Sequence, residues 1–189
     1  MTAGSGVIHS EMPLPGDGPE MHGFQFWLNL PATEKMGQPA YRDIQSGEIR
    51  EFQQGDARVR LIAGELAQHT GIVTGKTTRA LLADVSLPAG GSAELSYAGE
   101  LASQFYVYEG SVRVGDTTVN RGELASLGQG NGLRIETTES SGLLLFGGLP
   151  LNEPVAHYGP FVMSTQQEID QAINDYREGT LVRDPVGTI

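Results

Sequence analysis

The 189 residues hold four histidines and no cysteine. Any metal or nucleophile chemistry therefore runs through imidazole, carboxylate or hydroxyl groups. The sharpest local arrangement is His9-Ser10-Glu11. On a strand, residues i and i+2 point to the same face, so the His9 imidazole and the Glu11 carboxylate converge on one divalent cation. That donor mix suits Fe(II), Mn or Zn better than Ca or Mg. Gly4-Ser5-Gly6 just upstream is a turn that aims the strand. The same spacing also arises by chance, and the reading as an ordinary strand pair stands beside the metal reading. His22 opens an alternating apolar stretch and reads as a strand-end cap or as a support behind a metal ligand. His69 lies in a polar loop and reads as solvated, and His157 reads as structural. No serine sits in a Gly-x-Ser-x-Gly elbow. The glycine clusters Gly71 to Gly75 and Gly128 to Gly132 lead into no helix, so they are not phosphate loops. Glu100, Glu109 and Glu123 are scattered among turns as solvated carboxylates.

The elements that must position these residues are mostly of period two. Phe24, Phe26, Leu28 and Leu30 alternate along one face until Pro31, with Trp27 on the opposite face. Val59 to Ala63 and Ala80 to Leu87 read as strands, followed by Ala93 to Tyr97, Gln104 to Tyr108, Ser111 to Val114, Glu123 to Leu127, Leu133 to Thr137 and Leu143 to Phe146. The turn at Glu109-Gly110 reads as a tight hairpin. Short strands punctuated by glycine mean a sandwich or barrel. Residues 32 to 56 are polar and read as a long connection. In the tail, Ile169, Ala172, Ile173 and Tyr176 follow i, i+3, i+4, i+7, which predicts an amphipathic helix over about 165–178. Thr165 with Glu168 forms its capping box, and Gly179 is placed to end it.

Charge narrows the function. Twelve Lys+Arg against 23 Asp+Glu leave a net charge of −11 and a pI near 4.7. That balance argues against direct nucleic-acid binding and against docking on anionic membranes. No apolar run is long enough to span a bilayer. Residues 1 to 15 show neither a basic region nor an apolar core of a secretory signal. The expected location is cytoplasmic. The 26 glycines and 10 prolines suit a turn-rich β protein, and 39% hydrophobic content supplies a core.

Three stretches together resemble the pirin family, two-barrel members of the cupin superfamily. They are MTAGSGVIHSEMP at 1–13, HGFQFWLNLP at 22–31, and Leu151-Asn152-Glu153-Pro154 through Gly159-Pro160-Phe161-Val162-Met163 with the helix behind it. Leu87-Pro88-Ala89-Gly90 and Tyr106-Val107-Tyr108-Glu109-Gly110 fit as well. The resemblance implies an all-β bicupin of two jelly-roll β-barrel units, the first incomplete, with a C-terminal α-helix. Residues 1–58 would be the remainder of the N-terminal barrel plus a linker, 59–150 the C-terminal barrel, and 151–189 the tail.

It also implies one metal centre, Fe(II) or another divalent transition metal, in the N-terminal barrel. The family holds this metal by a His-x-His pair and by the histidine and glutamate of Ile-His-Ser-Glu. His9 and Glu11 match the latter two, while His-x-His occurs nowhere in this sequence. Met1 corresponds to a methionine inside the family pattern, so the chain is expected to be a fragment. The C-terminal barrel carries Glu94-Leu95-Ser96 and Ser103 where metal-binding cupins carry ligands, and it is expected to bind no metal.

The implied activity is that of a quercetin 2,3-dioxygenase-type oxidoreductase acting on a flavonol-like small molecule. Glu11 would be both ligand and base, and His9 a neutral imidazole ligand. The alternative is a non-catalytic redox-sensing or transcription co-regulatory module, acting through a protein partner or as a homodimer. A third reading is a fragment without activity, mobile before residue 58.

Overall fold

The structure is a computed structural model that describes residues 1–12, 22–75, 77–184 and 187–188. Pro13, the last residue of the first motif, lies outside them. The chain divides into two compact units. One is continuous, Ile44–Pro150; the other combines Met1–Asp43 with Leu151–Ile189.

The continuous unit is built from strands whose side chains alternate between a buried and an outer face. They are β1 (Arg50–Gln54), β2 (Ala57–Ala63), β3 (Leu81–Leu87), β4 (Ser92–Ser96), β5 (Ala102–Glu109), β6 (Ser111–Val114), β7 (Thr117–Asn120), β8 (Leu124–Ser126), β9 (Gly132–Glu136) and β10 (Ser141–Gly148). A six-stranded sheet runs in the order β8-β5-β10-β3-β2-β1 and a four-stranded sheet in the order β7-β6-β9-β4. Their strand pairs are antiparallel. On β2 the alternation is strict, with Ala57, Val59, Leu61 and Ala63 buried. Residues of both sheets, Leu61, Val85, Phe105, Leu143 and Leu145 with Leu95, Val112, Leu133 and Ile135, form one cluster. Full burial of each such side chain stabilises by about 1.5–3 kcal/mol.

Two expectations fail in this unit. Glu109-Gly110 is not a hairpin, because β5 and β6 lie in different sheets. Both edges of β5 are already taken by β8 and β10. Gly110 adopts a left-handed φ of 63° and turns the chain across to the other sheet. The polar stretch 32–56 is not all connection either. Its end forms β1, which pairs with β2 from Arg50↔Leu61 to Gln54↔Ala57. The strand Thr117–Asn120 was also not anticipated. It pairs with β6 through the two-residue turn Gly115-Asp116.

The discontinuous unit holds a short hairpin, β11 (Ala156–Tyr158) and β12 (Phe161–Met163), and the helix α1 (Gln166–Glu178). Thr165 caps α1, its side chain accepting from the Glu168 N–H while Glu168 accepts from the Thr165 N–H. Gly179 closes α1 in the left-handed conformation. The helix packs on the β11/β12 hairpin. Its apolar stripe is narrower than the periodicity implies, with Ile169 fully buried and Tyr176 exposed. Ala40–Tyr41 pairs in parallel with Gly187–Thr188.

The stretch 22–30 forms no regular strand among the described residues. Phe24, Phe26, Trp27 and Leu28 are 45%, 41%, 58% and 52% exposed. The alternation is present, but no sheet covers its apolar face. No helix among the described residues is long and apolar enough to cross a membrane.

Candidate metal-binding site

His9 and Glu11 lie on an irregular segment that follows a tight turn. The Gly6 N–H donates to the Ala3 carbonyl at 3.0 Å, which closes the turn across Gly4-Ser5. Two glycines let this segment approach its surroundings closely. A Cβ on Gly4 would stand 2.2 Å from the Gly37 oxygen, and one on Gly6 would stand 2.4 Å from the Leu181 oxygen. The Ser5 N–H donates to the Gly37 carbonyl at 2.7 Å. The Ser5 hydroxyl donates to Asp184 Oδ2 at 3.0 Å. Thr2 and Ala40 exchange two backbone hydrogen bonds. The stem that leads to His9 is thus fixed by segments far away in sequence.

Beyond Gly6 the described chain to Met12 belongs to no helix or sheet. The expected strand is absent among the described residues. His9 Nδ1 and Glu11 Oε1 stand 3.9 Å apart, with side chains 35% and 72% exposed. Two donors bound to a first-row ion at about 2.0–2.2 Å stand about 3.0–3.5 Å apart, somewhat closer than this pair. The donor types fit Fe(II), Mn or Zn. Two donors fill only part of a coordination sphere, and no group of three or more His, Cys, Asp or Glu residues that could hold a metal occurs among the described residues.

The other histidines are engaged elsewhere. His22 packs against Phe24 with ring centroids 4.9 Å apart. His69 packs on Phe52 at 3.8 Å, so the loop reading of a solvated ring gives way to a half-buried one. His157 meets the Trp27 ring edge-on at 5.8 Å. Its Nε2 lies 2.9 Å from the Gly159 carbonyl, a structural contact across the β11/β12 turn.

One residue near this region carries no motif that sequence reading could detect. Lys35 is buried, and its Nζ donates to Asn29 Oδ1 and to the Val162 carbonyl. Burial pulls its pKa down, against the opposing pull of Glu153 and Glu168. It ties the end of the 22–30 stretch to β12. Its partners are remote in sequence, so only the fold brings them to it.

In the continuous unit, Ser103 donates to the buried Tyr97 hydroxyl at 3.1 Å. On the four-stranded sheet, Arg113 and Arg134 both pair with Glu136.

With this geometry in hand, comparison with known proteins gives a consistent result. Residues 82–182, more than half of the chain, match the Pirin C-terminal cupin domain. A pirin-like protein of Caulobacter vibrioides is 40% identical over 181 residues, covering 95% of this chain and 65% of that protein. Human pirin is 36% identical over 185 residues, covering 94% of this chain and 62% of that protein. The crystal structure of a quercetin 2,3-dioxygenase from Acinetobacter baumannii superposes with a TM-score of 0.78 at 32% identity, over 82% of this chain and 55% of that one. This chain spans about two thirds or less of the length of these relatives. The fold is accordingly an all-β cupin-type jelly roll with a C-terminal helix, and the chain belongs to the pirin family.

Proposed function

We propose that this chain contributes to a metal-dependent dioxygenase of the quercetin 2,3-dioxygenase type, with His9 and Glu11 as metal-holding residues. The observation that carries this is the juxtaposition of the two side chains, 3.9 Å apart on one exposed segment. The similarity to a solved quercetin 2,3-dioxygenase at 32% identity supports the substrate class. When bound, the metal supplies Lewis acidity and open positions for the oxygens of a flavonol-like substrate.

The chain's own residues do the rest. His9 would offer an imidazole nitrogen, on the segment that follows the Gly4-Ser5 turn. Glu11 has two carboxylate oxygens. Glu11 would help hold the metal, and its carboxylate would take the proton of the flavonol hydroxyl as general base. Its exposure leaves the carboxylate open to a planar phenol.

The test is turnover of quercetin under air by the chain supplied with Fe(II). Metal-dependent product, lost in His9→Ala and cut by at least about 100-fold in Glu11→Gln, is the expected result. No metal-dependent product overturns the proposal for this chain.

A second reading is favoured by the exposed Phe24, Phe26, Trp27 and Leu28. An apolar stretch of this kind marks a protein-interaction surface. In that reading the chain acts as a co-regulatory module through a protein partner, with the metal as its redox sensor. Trp27→Ala separates the readings. It weakens partner binding and leaves metal uptake by His9 and Glu11 unchanged; loss of metal uptake in Trp27→Ala would count against a separate binding surface.

A further inference from the structure

We infer that Asn131 is a site of spontaneous covalent modification. The backbone nitrogen of Gly132 converts its amide to aspartate and isoaspartate, and the isoaspartate form loosens the start of β9. The inference is independent of the reading of His9 and Glu11.

Three observations carry it. The first is the residue that follows. Asn131 is the one asparagine of the chain with a glycine after it; Asn29, Asn120, Asn152 and Asn174 precede Leu30, Arg121, Glu153 and Asp175. Glycine has no side chain to keep its nitrogen from the preceding amide. The fold also requires glycine here. A Cβ on Gly132 would stand 2.8 Å from the Leu95 oxygen and 3.3 Å from the Ser96 Cα. Close packing against β4 thus keeps the reactive pair together.

The second observation is register. The Tyr97 N–H donates to the Asn131 carbonyl at 3.0 Å, and Gly132 stands opposite Ser96. Hydrogen-bonded and non-hydrogen-bonded pairs alternate along an antiparallel ladder. Asn131 and Tyr97 form a hydrogen-bonded pair, so Gly132 and Ser96 form a non-hydrogen-bonded one. The Gly132 N–H therefore points away from β4. On its other side β9 pairs with β6 at Glu136↔Arg113, the far end of the strand.

The third is access. Residues 128–132 are exposed, and Asn131 lies in a bend. An open cleft of about 630 Å³, lined by Gly128, Gly130 and Gly132 with Arg113 and Arg134, adjoins the pair. Water and hydroxide reach the two residues from it.

The step needs only water. Hydroxide takes the Gly132 amide proton, and the nitrogen attacks Asn131 Cγ. A bond from nitrogen to Cγ forms, the bond from Cγ to Nδ2 breaks, and ammonia leaves with a proton returned by water. Water then opens the five-membered imide. Opening at Cγ gives aspartate; opening at the main-chain carbonyl gives isoaspartate, with the chain running through Cγ. Both products carry one more negative charge. The Asn131 Oδ1 lies against Gly99, where an added Cβ would stand 2.2 Å from it. In the aspartate form the new charge therefore falls next to Glu100. In the isoaspartate form the main chain gains one carbon, which displaces Gly132 from Ser96 and frays the β9/β4 pairing.

The test is to hold the folded 189-residue chain for days in warm, mildly alkaline buffer and map its peptides by mass spectrometry. Fragmentation that cleaves beside isoaspartate tells the two products apart. The peptide containing residue 131 should gain one dalton ahead of those containing the other four asparagines. Asn131→Gln, altered at an exposed position and unable to close a five-membered ring, should show no gain there. The isoaspartate form, separated from the fresh chain by anion exchange, should melt at a lower temperature.

Other outcomes overturn the claims separately. No gain at residue 131, a gain there only after denaturation, or an equal gain in Asn131→Gln overturns the site. An earlier gain at another asparagine overturns the role of Gly132. An isoaspartate form that melts with the fresh chain overturns the loosening of β9 and leaves the site standing.

Discussion

At the scale of single residues, His9-Ser10-Glu11 can be picked out from two positions alone, and the structure leaves the two side chains 3.9 Å apart. The long-range contacts of the discontinuous unit cannot be picked out in this way. Ser5 finds Asp184 across 179 positions, and Lys35 finds the Val162 carbonyl across 127. No local pattern encodes such contacts. Asp175 is another case. It accepts a hydrogen bond from Gln171 at 2.8 Å and pairs with Arg183. The Gln171 bond first, then Arg183, holds its carboxyl below the usual range, against the opposing effect of burial. A carboxyl depressed in the folded state stabilises fully above its unfolded pKa, about 3.9, and loses that contribution as pH falls through the folded value. The parent chain should therefore lose melting temperature more steeply than Asp175→Asn as pH drops from 5 toward 2. Melts followed by circular dichroism would show it, and parallel slopes would remove Asp175 from the account.

At the scale of elements, alternation told strands apart well and told pairing poorly. Val59 to Ala63 and Ala80 to Leu87 were readable because each buries every second side chain. The strand Arg50–Gln54 was hidden because Phe52 is its one large apolar residue and it sits at a sheet edge. The Glu109-Gly110 corner looked like a hairpin because a glycine between two strands serves either purpose. The stretch 22–30 alternates without a sheet to receive it. The helix was the clearest element, since its signals are local. Its capping box is present as read, with Glu168 also accepting from the Thr165 hydroxyl at 2.9 Å. Replacing Thr165 with alanine should cost about 1 kcal/mol, visible as a lower melting temperature of the helical signal. An unchanged melt would mean that packing of Ile169 alone sets the helix.

At the scale of the whole molecule, the two units differ in kind. Ile44–Pro150 is contiguous and carries its own apolar cluster. Residues 44–150 produced alone should fold, with dispersed amide resonances and a cooperative melt. Within that piece, Phe105→Ala should cost about 3–5 kcal/mol, because the ring is fully buried. A piece that stays unfolded would show that the cluster is insufficient by itself. The other unit joins the two ends of the described chain, and this arrangement governs the timing of assembly during synthesis. At about 5–20 residues per second, Asp184 emerges roughly 10–40 s after Ser5. The barrel in between is complete and free to fold during that wait. The stem before His9 has no Leu181 or Asp184 to settle against until then. His9 and Glu11 thus leave the ribosome well before the segment that fixes their stem, and a chain stalled before Leu181 would carry a finished barrel with that stem still unsettled.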